Sequence, residues 1–488
     1  MKSERKFLAI DLGAESGRGE LVTLRGGKIG VEEVHRWANR PVRLGGTLTW
    51  DFPFLFAEIL ESLRLCADRG IRLDSIGVDT WGVDFGLLGG DGRLLGNPVH
   101  YRDSRTANIH EYSAPKMSND EIFRLTGYEP WAISSLFQLL SMQRDGSPLL
   151  DVAETFLNMP DLINYFLTGV KRNERSIVNT SNLMGTDGAW CKELIGVFGL
   201  ERRMFGEMIE PASPLGPLAA GVTEHTGLGE VPVIASVGHD TSAALAATPG
   251  RGDNWAFLSC GTWSILGALV PHPFAVPKCL ELGYTNEYTI GGWYIGRNIL
   301  GLWLVQELRR KWDSIEDPWD YGRMTQEASA AGTGPLVDAA DASLMAPLDM
   351  EEALGKLIAD SSQPAPQSRG ELVFGVLESL ALEYNVRLDA IGELTGRRPD
   401  SIYMVGGGTK NTLLCQLTAD ACGVAVYAGV DQCTALGNAL GQALALGALN
   451  SPQEIRDVMR ESFALTTYEP RNPSEWADKR GRYEALRK

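Results

Sequence analysis

Residues 7–22, FLAIDLGAESGRGELV, decide the fold class of this chain. Two hydrophobic arms flank a turn of small residues, which is the pattern of a β-hairpin. Residues 255–267, WAFLSCGTWSILG, repeat this plan in the second half of the chain. Two hairpins of one design about half a chain apart indicate a duplicated domain. Two unrelated hairpins are the alternative.

The length of the chain, 488 residues, exceeds what one compact core accommodates, and we expect two large domains. Strands and helices alternate along the sequence, which favours the α/β class. Among them we predict a short buried strand over 74–80 and a helix over 369–395. A further strand is predicted over 402–405.

The charge balance excludes two classes of partner. The chain has 45 basic and 62 acidic residues, a net charge of −17 and a pI near 4.9. Such a field repels nucleic acid backbones and anionic lipid surfaces, so neither is expected as a partner.

The seven cysteines are scattered and predict reduced thiols rather than disulfides or a zinc site. No apolar signal segment precedes the first strand, and no apolar stretch is long enough to span a bilayer, so a cytoplasmic location is expected.

Two segments point to phosphoryl transfer. Residues 238–241, GHDT, lie between an apolar run and an Ala-rich stretch that is typical of a helix. A carboxylate at such a junction, here Asp240, is exposed at the edge of a sheet, although a helix N-cap is its structural alternative. Residues 258–264 form a strand that ends in a Gly-Thr turn, whose backbone N–H groups and hydroxyl can hold phosphate. A proton acceptor and a phosphate turn together indicate phosphoryl transfer to an alcohol.

A third turn is rich in glycine. Residues 406–411, GGGTKN, follow the predicted strand over 402–405 and precede a helix that begins near Thr412. This arrangement lets backbone approach a nucleotide, and a sharp chain reversal is the alternative. The dinucleotide-binding fingerprint and the Walker A pattern are both missing from the sequence, so neither standard nucleotide fold is indicated.

The order of these segments resembles the FGGY family of carbohydrate kinases, within the class of two-domain ATPases that includes actin, hexokinase and Hsp70. The resemblance extends from Phe7 to about Leu449. The matching segments are residues 11–18, 76–85, 101–106, 238–241, 259–264, 298–306, 405–408 and 411–423. Residues 79–85, DTWGVDF, are the most specific, and they resemble the members that phosphorylate L-rhamnulose at its 1-hydroxyl.

The resemblance implies a fold of two ribonuclease H-like α/β domains. Each is expected to carry a five-stranded mixed sheet flanked by helices, with ATP and sugar in the cleft between the domains. The implied boundaries are 1–245 for the N-terminal domain, which binds sugar and phosphate, and 246–450 for the ATP-binding C-terminal domain. Residues 451–488 are expected to be an extension that packs on the core.

The resemblance also implies roles for single residues on the sugar side. Asp240 matches the general base that takes the proton of the sugar hydroxyl. Sugar contacts are implied at Gly82, His239, Asp240, Thr241 and Asn298. A buried structural histidine is the alternative for His239, and a helix cap is the alternative for Asn298.

On the nucleotide side, the implied cofactors are ATP and Mg²⁺. Asp11 would face the metal through water, with a satisfied turn aspartate as the alternative. Contacts with ATP are implied at Ala14, Glu15, Ser16, Gly17, Arg18, Thr262, Gln306 and Gly407. Glu15 is unusual in a phosphate loop, because its charge repels the ligand unless the side chain points away or joins the metal shell.

Alternatives to a kinase for L-rhamnulose remain at this stage. A related FGGY kinase would act on fuculose, xylulose or glycerol. A conformational ATPase of the Hsp70 or actin type would use the nucleotide cleft without this chemistry, and a sugar-sensing regulator would bind without turnover. The expected partners are a small sugar and ATP, with no nucleic acid and no membrane. The sequence leaves the oligomeric state, monomer or dimer, open.

Overall fold

The computed structural model describes residues 4–487, and their contacts divide the chain into two compact units. Unit 1 comprises the described residues of Met1–Pro249 together with Val270–Ile295 and Cys433–Ser462. Unit 2 comprises Gly250–Leu269, Gly296–Gln432 and the described residues of Phe463–Lys488. This division is discontinuous in sequence. The continuous domains 1–245, 246–450 and 451–488 therefore stay a prediction.

Helices and strands alternate along the described residues, as expected for an α/β protein. The strands are β1 (Arg5–Leu12), β2 (Ser16–Arg25), β3 (Lys28–Ala38), β4 (Val42–Leu44), β5 (Thr47–Thr49), β6 (Ser75–Thr80), β7 (Phe85–Leu88), β8 (Thr155–Asn158), β9 (Asn173–Glu174), β10 (Met208–Ile209), β11 (Ser213–Pro217), β12 (Pro232–Ala235), β13 (Trp255–Cys260), β14 (Trp263–Val270), β15 (Thr285–Thr289), β16 (Gly292–Leu300), β17 (Ser401–Val405), β18 (Ala425–Ala428) and β19 (Thr466–Tyr468).

The helices are α1 (Phe52–Asp68), α2 (Ile109–Ser113), α3 (Asn119–Thr126), α4 (Ser135–Arg144), α5 (Leu149–Val152), α6 (Met159–Thr168), α7 (Arg175–Asn179), α8 (Lys192–Phe198), α9 (Ala220–Thr226), α10 (Asp240–Ala246), α11 (Pro277–Glu281), α12 (Trp303–Trp312), α13 (Tyr321–Ala331), α14 (Met350–Asp360), α15 (Arg369–Thr395), α16 (Thr412–Cys422), α17 (Cys433–Ala445), α18 (Pro452–Ser462) and α19 (Pro473–Glu484). Short 3₁₀ helices cover Ser104–Thr106, Arg202–Met204, Ala342–Leu344 and Gly407–Lys410.

The sheet of unit 1 has six strands in the order β11-β12-β6-β1-β2-β3, one more than the predicted five. The predicted hairpin over 7–22 is confirmed, since β1 pairs antiparallel with β2 from Phe7↔Val22 to Leu12↔Gly17. Strands β1, β6 and β12 are parallel to one another. The carboxyl ends of these three strands therefore meet at one edge of the sheet.

Helix α17 packs on β1 and β6 through polar side chains that are fully buried. Gln442 Nε2 donates to the carbonyl oxygen of Leu8 over 3.1 Å, and Ser75 Oγ donates to Gln442 Oε1 over 2.8 Å. One turn earlier, Asn438 Nδ2 donates to Asp79 Oδ2 over 2.6 Å. Buried polar groups require partners of this kind, so the contacts fix the helix in one register over the two strands.

A hydrophobic core forms between the same sheet and α1 and α6. Its members are buried aliphatic and aromatic side chains of these elements, among them Leu8, Ile10, Leu12, Leu55, Ile59, Leu63, Ile76, Val78, Leu162 and Ile163. Strand β6 is buried along its whole length, as is usual for a parallel strand with both sheet faces covered. The central strands thus form a rigid support for the residues that follow them.

The second sheet has seven strands in the order β15-β16-β14-β13-β17-β18-β19, again more than the predicted five. In unit 2, β13 pairs antiparallel with β14, which confirms the predicted hairpin over 255–267. Strand β13 is parallel to β17, and β17 is parallel to β18. Strand β1 is antiparallel to β2 and parallel to β6, and β13 is likewise antiparallel to β14 and parallel to β17. This repeated arrangement supports the duplicated-domain interpretation.

Helix α15 begins and ends at the predicted residues, 369 and 395. Within unit 2, α19 packs on α15 and α16. Tyr483 Oη donates to Glu383 Oε2 over 2.9 Å, and both side chains are buried. This part of the C-terminal segment is therefore an integral part of unit 2.

Two further expectations concern the chain as a whole. All seven cysteines are buried free thiols, as their scattered spacing predicts. Among residues 4–487, the structure contains no helix with the length and apolar character required to cross a membrane. The cytoplasmic location stays a prediction.

Candidate active site

In unit 1, three chain segments lie side by side where β1, β6 and β12 end. Asp11 of β1 and Asp79 of β6 occupy paired positions in the parallel ladder. The backbone N–H of Thr80 donates to the carbonyl oxygen of Gly238 over 2.9 Å, and that of Trp81 donates to Leu12 over 3.1 Å. The carboxyl edge of a parallel sheet is where α/β proteins bind ligands.

Asp240 is the first residue of α10, and the N-cap position belongs to His239. The N-cap alternative for Asp240 is therefore wrong. Its Oδ1 accepts hydrogen bonds from the backbone N–H of Thr241 over 2.5 Å and from Thr241 Oγ1 over 3.2 Å. Its Oδ2 accepts none from the residues the structure describes, and 31% of the side chain is exposed. One carboxylate oxygen is thus available to an incoming hydroxyl group.

The surroundings of Asp240 affect its proton affinity. Burial raises the pKa of Asp240 above the ordinary value, His239 lowers it, and Asp11 raises it further. Taken together, these effects raise the pKa of Asp240. A carboxylate with a raised pKa holds an abstracted proton better than an ordinary aspartate does.

The backbone before Asp240 is fixed by a buried glutamate. Gly238 N–H donates to Glu174 Oε2 over 2.9 Å, and His239 N–H donates to Ser176 Oγ over 3.3 Å. A Cβ atom at position 238 would lie 2.7 Å from Glu174 Oε2, so a larger residue would have to displace the glutamate. Glu174 also accepts from the N–H of Ser176 over 2.6 Å and so caps α7.

His239 lies between two carboxylates and is buried. Its Nδ1 is 3.2 Å from Glu287 Oε2, and its Nε2 is 3.4 Å from Asp240 Oδ1. Burial acts to lower the pKa of His239, but Glu287 and Asp240 outweigh it, so the pKa lies above the ordinary value. Both ring nitrogens therefore face negatively charged groups.

Asp11 forms an ion pair with Arg18 of the neighbouring strand. Arg18 Nε and Nη2 both donate to Asp11 Oδ2, over 2.9 and 2.6 Å. Arg18 Nη1 lies 3.4 Å from Oε1 of Glu20, which is fully buried. Burial raises the pKa of Glu20 to about 7, against the attraction of Arg18.

Asp79 is fully buried beside Asp11, and its Oδ1 has no hydrogen-bond partner. Burial raises the pKa of Asp79 well above its ordinary value, and the charge of Asp11 adds to this. Between residues 4 and 487, no three His, Cys, Asp or Glu side chains form a complete metal centre. One or two carboxylates with several waters are the usual protein ligands of Mg²⁺. The Asp11–Asp79 pair, with its unpartnered buried oxygen, fits such an ion.

The predicted phosphate loop, Ala14 to Arg18, begins in the turn between β1 and β2 and continues into β2, which starts at Ser16. It is closed by a hydrogen bond from Gly13 N–H to the carbonyl oxygen of Ser16 over 2.9 Å. Asn39 Nδ2 donates to the carbonyl oxygen of Gly13 over 2.6 Å and holds the turn from outside. The side chain of Glu15 is exposed. The loop is therefore compact and internally bonded.

The loop after β6 places Gly82 in a constrained backbone. The next residue, Val83, has a φ of +70°, which is strained for a β-branched side chain. Its N–H donates to Thr180 Oγ1 over 2.9 Å. A Cβ atom on Gly82 would lie 3.0 Å from the Thr180 side chain. These contacts hold the Gly82 backbone in one conformation.

The four candidate residues of unit 2 lie on four different elements. The carbonyl oxygen of Thr262, at the exposed tip of the β13–β14 hairpin, accepts from Trp303 N–H over 3.0 Å at the start of α12. Gln306 belongs to the first turns of that helix. Gly407 is exposed and opens the 3₁₀ helix after β17, with open space around its Cα. Asn298 lies inside strand β16, so its helix-cap alternative is wrong.

Comparison with known proteins places this architecture in a family. Residues 6–247 match the N-terminal domain of the FGGY family of carbohydrate kinases, and residues 256–446 match its C-terminal domain. The chain belongs to the FGGY family of carbohydrate kinases. The FGGY kinase is 37% identical over 475 residues to a protein of Bacteroides thetaiotaomicron named rhamnulokinase, covering 97% of each chain.

A rhamnulokinase of Oceanobacillus iheyensis is 33% identical to this FGGY kinase over 466 residues, which cover 94% of this chain and 97% of the relative. Among solved structures, gluconate kinase from Lactobacillus acidophilus superposes with a TM-score of 0.82 at 17% identity, covering 99% and 97% of the two chains. At this identity the likeness concerns the fold alone. It confirms the predicted two-domain α/β architecture.

Sequence reasoning about this FGGY kinase missed four buried polar residues of the site: Asp79, Glu174, Glu287 and Asn438. A signal existed for Asp79, because Ile10-Asp11 and Val78-Asp79 end similar apolar runs. The other three are isolated in sequence. They join the site only through the tertiary fold.

Proposed function

We propose that this FGGY kinase transfers the γ-phosphoryl group of ATP to the 1-hydroxyl of L-rhamnulose, forming L-rhamnulose 1-phosphate and ADP. The observation that carries the proposal is similarity over nearly the full chain to proteins named rhamnulokinase. The geometry of unit 1 supports it, since Asp240 presents a free carboxylate oxygen at the sheet edge.

The proposed chemistry uses Asp240 as the general base. Its Oδ2 accepts the proton of the sugar 1-hydroxyl while the hydroxyl oxygen bonds to the γ-phosphorus. The bond between that phosphorus and the bridging oxygen of ADP breaks at the same time, and its electron pair leaves with ADP. In the loose transition state of such reactions the proton is lost late, so positioning matters more than basicity. The Gly238–Glu174 hydrogen bond supplies that positioning.

The proposed sugar contacts are Gly82, His239, Asp240, Thr241 and Asn298. Gly82 would approach the sugar through its backbone, which the strained Val83 and Thr180 hold in place. Thr241 donates to the non-reacting oxygen of Asp240, so it also orients the base.

For the nucleotide, we propose contacts at Ala14, Glu15, Ser16, Gly17, Arg18, Thr262, Gln306 and Gly407. Asp11 would hold Mg²⁺ through water, with Asp79 beside it. The bound ion would neutralise charge on the phosphate oxygens. Arg18 would share this task, and its ion pair with Asp11 supports the proposal because it keeps the guanidinium beside the proposed metal ligand.

An assay of ADP release across L-rhamnulose, L-fuculose, D-xylulose and glycerol tests the proposal. We expect the highest kcat/KM with L-rhamnulose and, by phosphorus NMR, a product phosphorylated at the 1-hydroxyl. Equal or better use of xylulose or glycerol would reject the proposed substrate and leave a carbohydrate kinase of another specificity. Rapid ATP hydrolysis that no sugar increases would favour a conformational ATPase. The Asp240→Asn variant, purified in parallel, controls for contaminating kinases.

A further inference from the structure

Glu287 reaches the candidate site from β15, a strand that packs on α7 and α10. It is only 4% exposed. One of its oxygens, Oε2, accepts from Tyr294 Oη over 2.7 Å and lies 3.2 Å from His239 Nδ1. A carboxylate accepts hydrogen bonds and does not donate them. Glu287 is therefore connected to the base through a single ring, because His239 Nε2 faces Asp240.

The hydroxyl groups around this ring show which nitrogen carries hydrogen. Ser242 Oγ lies 3.1 Å from Tyr294 Oη and 3.3 Å from His239 Nδ1. Each hydroxyl has one hydrogen to donate. Since Tyr294 donates to Glu287, Ser242 donates to Tyr294. The remaining contact, between Ser242 Oγ and His239 Nδ1, then requires the hydrogen on Nδ1.

We propose that Glu287 is a positioning residue that holds His239 in its Nδ1–H form and so turns Nε2 toward Asp240. The inference rests on the proposed function of Asp240 as the base. With Nδ1 fixed as a donor, Nε2 is the ring nitrogen that gains or loses a proton. When it is protonated, the imidazolium donates to Asp240 Oδ1 and stabilises the ionised base.

The charged and titratable groups that face this ring come from several elements. Asp240 begins α10, Glu287 lies on β15, Tyr294 lies on β16, and Glu174 precedes α7. Tyr128, after α3, interacts with Glu287 and Tyr294. All the ionised partners of His239 are carboxylates. Removal of the Glu287 charge therefore makes protonation of the ring less favourable and removes a positive neighbour from Asp240.

The first test is NMR of isotope-labelled histidine in the full chain without sugar or ATP. The chain has six histidines, and the signal missing in His239→Gln identifies the ring. In Glu287→Gln we expect the pKa of His239 to fall by about one unit or more, and Nδ1 to lose its hydrogen in the neutral ring. An unchanged tautomer and pKa would overturn the proposal. Because no substrate is present, this result does not depend on which sugar is phosphorylated.

The second test is the pH dependence of kcat with the preferred sugar. Without the imidazolium, the pKa of Asp240 rises, so the acid limb of the Glu287→Gln profile should move to higher pH and kcat near neutrality should fall about tenfold. The KM for ATP should stay unchanged, and Glu287→Asp should recover part of the loss. A lower kcat at every pH, with no displaced limb, would indicate a merely structural role and reject the proposal.

The chain offers a matched control and a second variant. Glu383, in unit 2, is a buried glutamate that accepts from Tyr483, and Glu383→Gln should leave the His239 signal and the pH profile unchanged. If Glu287→Gln does not fold, Tyr294→Phe tests the same idea with the opposite sign. It removes a donor that competes for Glu287 Oε2, so the pKa of His239 should rise. A fall would contradict the proposal.

Discussion

Arg18 donates two hydrogen bonds to a single oxygen of Asp11, from Nε over 2.9 Å and from Nη2 over 2.6 Å. Asp79 lies beside Asp11 on the neighbouring strand. The charges of Asp11 and Asp240 both raise the pKa of Asp79. Burial acts to lower the pKa of Arg18, but Asp11 and Glu20 outweigh it and raise the value. The guanidinium is thus the cation that balances a group of carboxylates proposed to face Mg²⁺.

We expect Arg18→Met to lower the free energy of unfolding by about 2 kcal/mol without magnesium, because it leaves Asp11 unpaired and nearly buried. Magnesium should recover more stability in this variant than in the wild type, since it would bind the carboxylates that Arg18 otherwise neutralises. Thermal unfolding with and without millimolar MgCl₂ measures both effects.

The control for this comparison is Arg64→Met. Arg64 pairs with Glu61 and Asp68 on the exposed face of α1, so its replacement should change little and should not respond to magnesium. The same magnesium response in Arg18→Met and in the wild type would contradict the assignment of Asp11.

Glu20 predicts a dependence of stability on pH. Its pKa is about 7 in the folded chain, against an ordinary value of 4.5, and burial is the main cause. The folded state therefore binds more protons between these values, so stability is full below about pH 4.5 and falls as pH rises through 7. Glu20→Gln removes this loss, which amounts to at most about 3 kcal/mol.

Urea unfolding at about pH 5, 7 and 8 tests the Glu20 prediction. The Glu20→Gln variant should be more stable than the wild type at the highest pH, and the difference should shrink toward the lowest. Glu224→Gln, an exposed change in the same unit, should follow the wild-type curve. Parallel curves for Glu20→Gln and the wild type would show that Glu20 is not protonated at a raised pKa.

Asp84 fixes the loop that carries Gly82. Its Oδ2 accepts from Trp50 Nε1 over 2.7 Å and from Trp81 Nε1 over 3.0 Å, and its Oδ1 accepts from Gln138 Nε2 over 3.0 Å. In Asp84→Asn, an NH₂ group replaces one carboxylate oxygen. This group donates hydrogen bonds but faces the N–H donor of a neighbouring side chain. We expect a loss of about 2 kcal/mol in the free energy of unfolding near neutral pH, together with a higher KM for the sugar.

Asp91→Asn is the matched change for Asp84, because Asp91 accepts from Arg93 N–H in an exposed turn. It should leave both stability and KM close to the wild-type values. If Asp84→Asn raises KM without loss of stability, the residue acts on the sugar directly rather than through the loop. An unchanged KM would remove Asp84 from the support of the site.

Much of the fold follows from local sequence patterns. Both hairpins, the strand at 401–405 and helix α15 were predictable, because turns of small residues and long apolar periodicities are properties of neighbouring residues. Strand β3 at one edge of the first sheet was not. This edge strand has charged residues at many positions, so its own sequence does not indicate a strand. It forms because it pairs antiparallel with β2.

The candidate site shows the same limit. Asp11 and Asp240 were predictable because each follows an apolar run where a strand ends. Glu174 and Glu287 were not, because each acts through one hydrogen bond across a long separation in sequence. The helix-cap alternative for Asn298 stayed open until β16 was observed, because its neighbours in sequence do not indicate which element it belongs to.

Asp240→Asn is the most direct test of the proposed chemistry. The amide keeps the shape of the side chain, and its oxygen can still accept from Thr241, but it cannot take the proton of the sugar hydroxyl. We expect kcat to fall by about two to four orders of magnitude with KM for ATP nearly unchanged. In the wild type, the raised pKa of Asp240 should place the acid limb of the activity profile above the ordinary aspartate range, since activity requires the ionised form. Stopped assays over a pH series measure both effects, and near wild-type turnover in Asp240→Asn would assign the base to another residue.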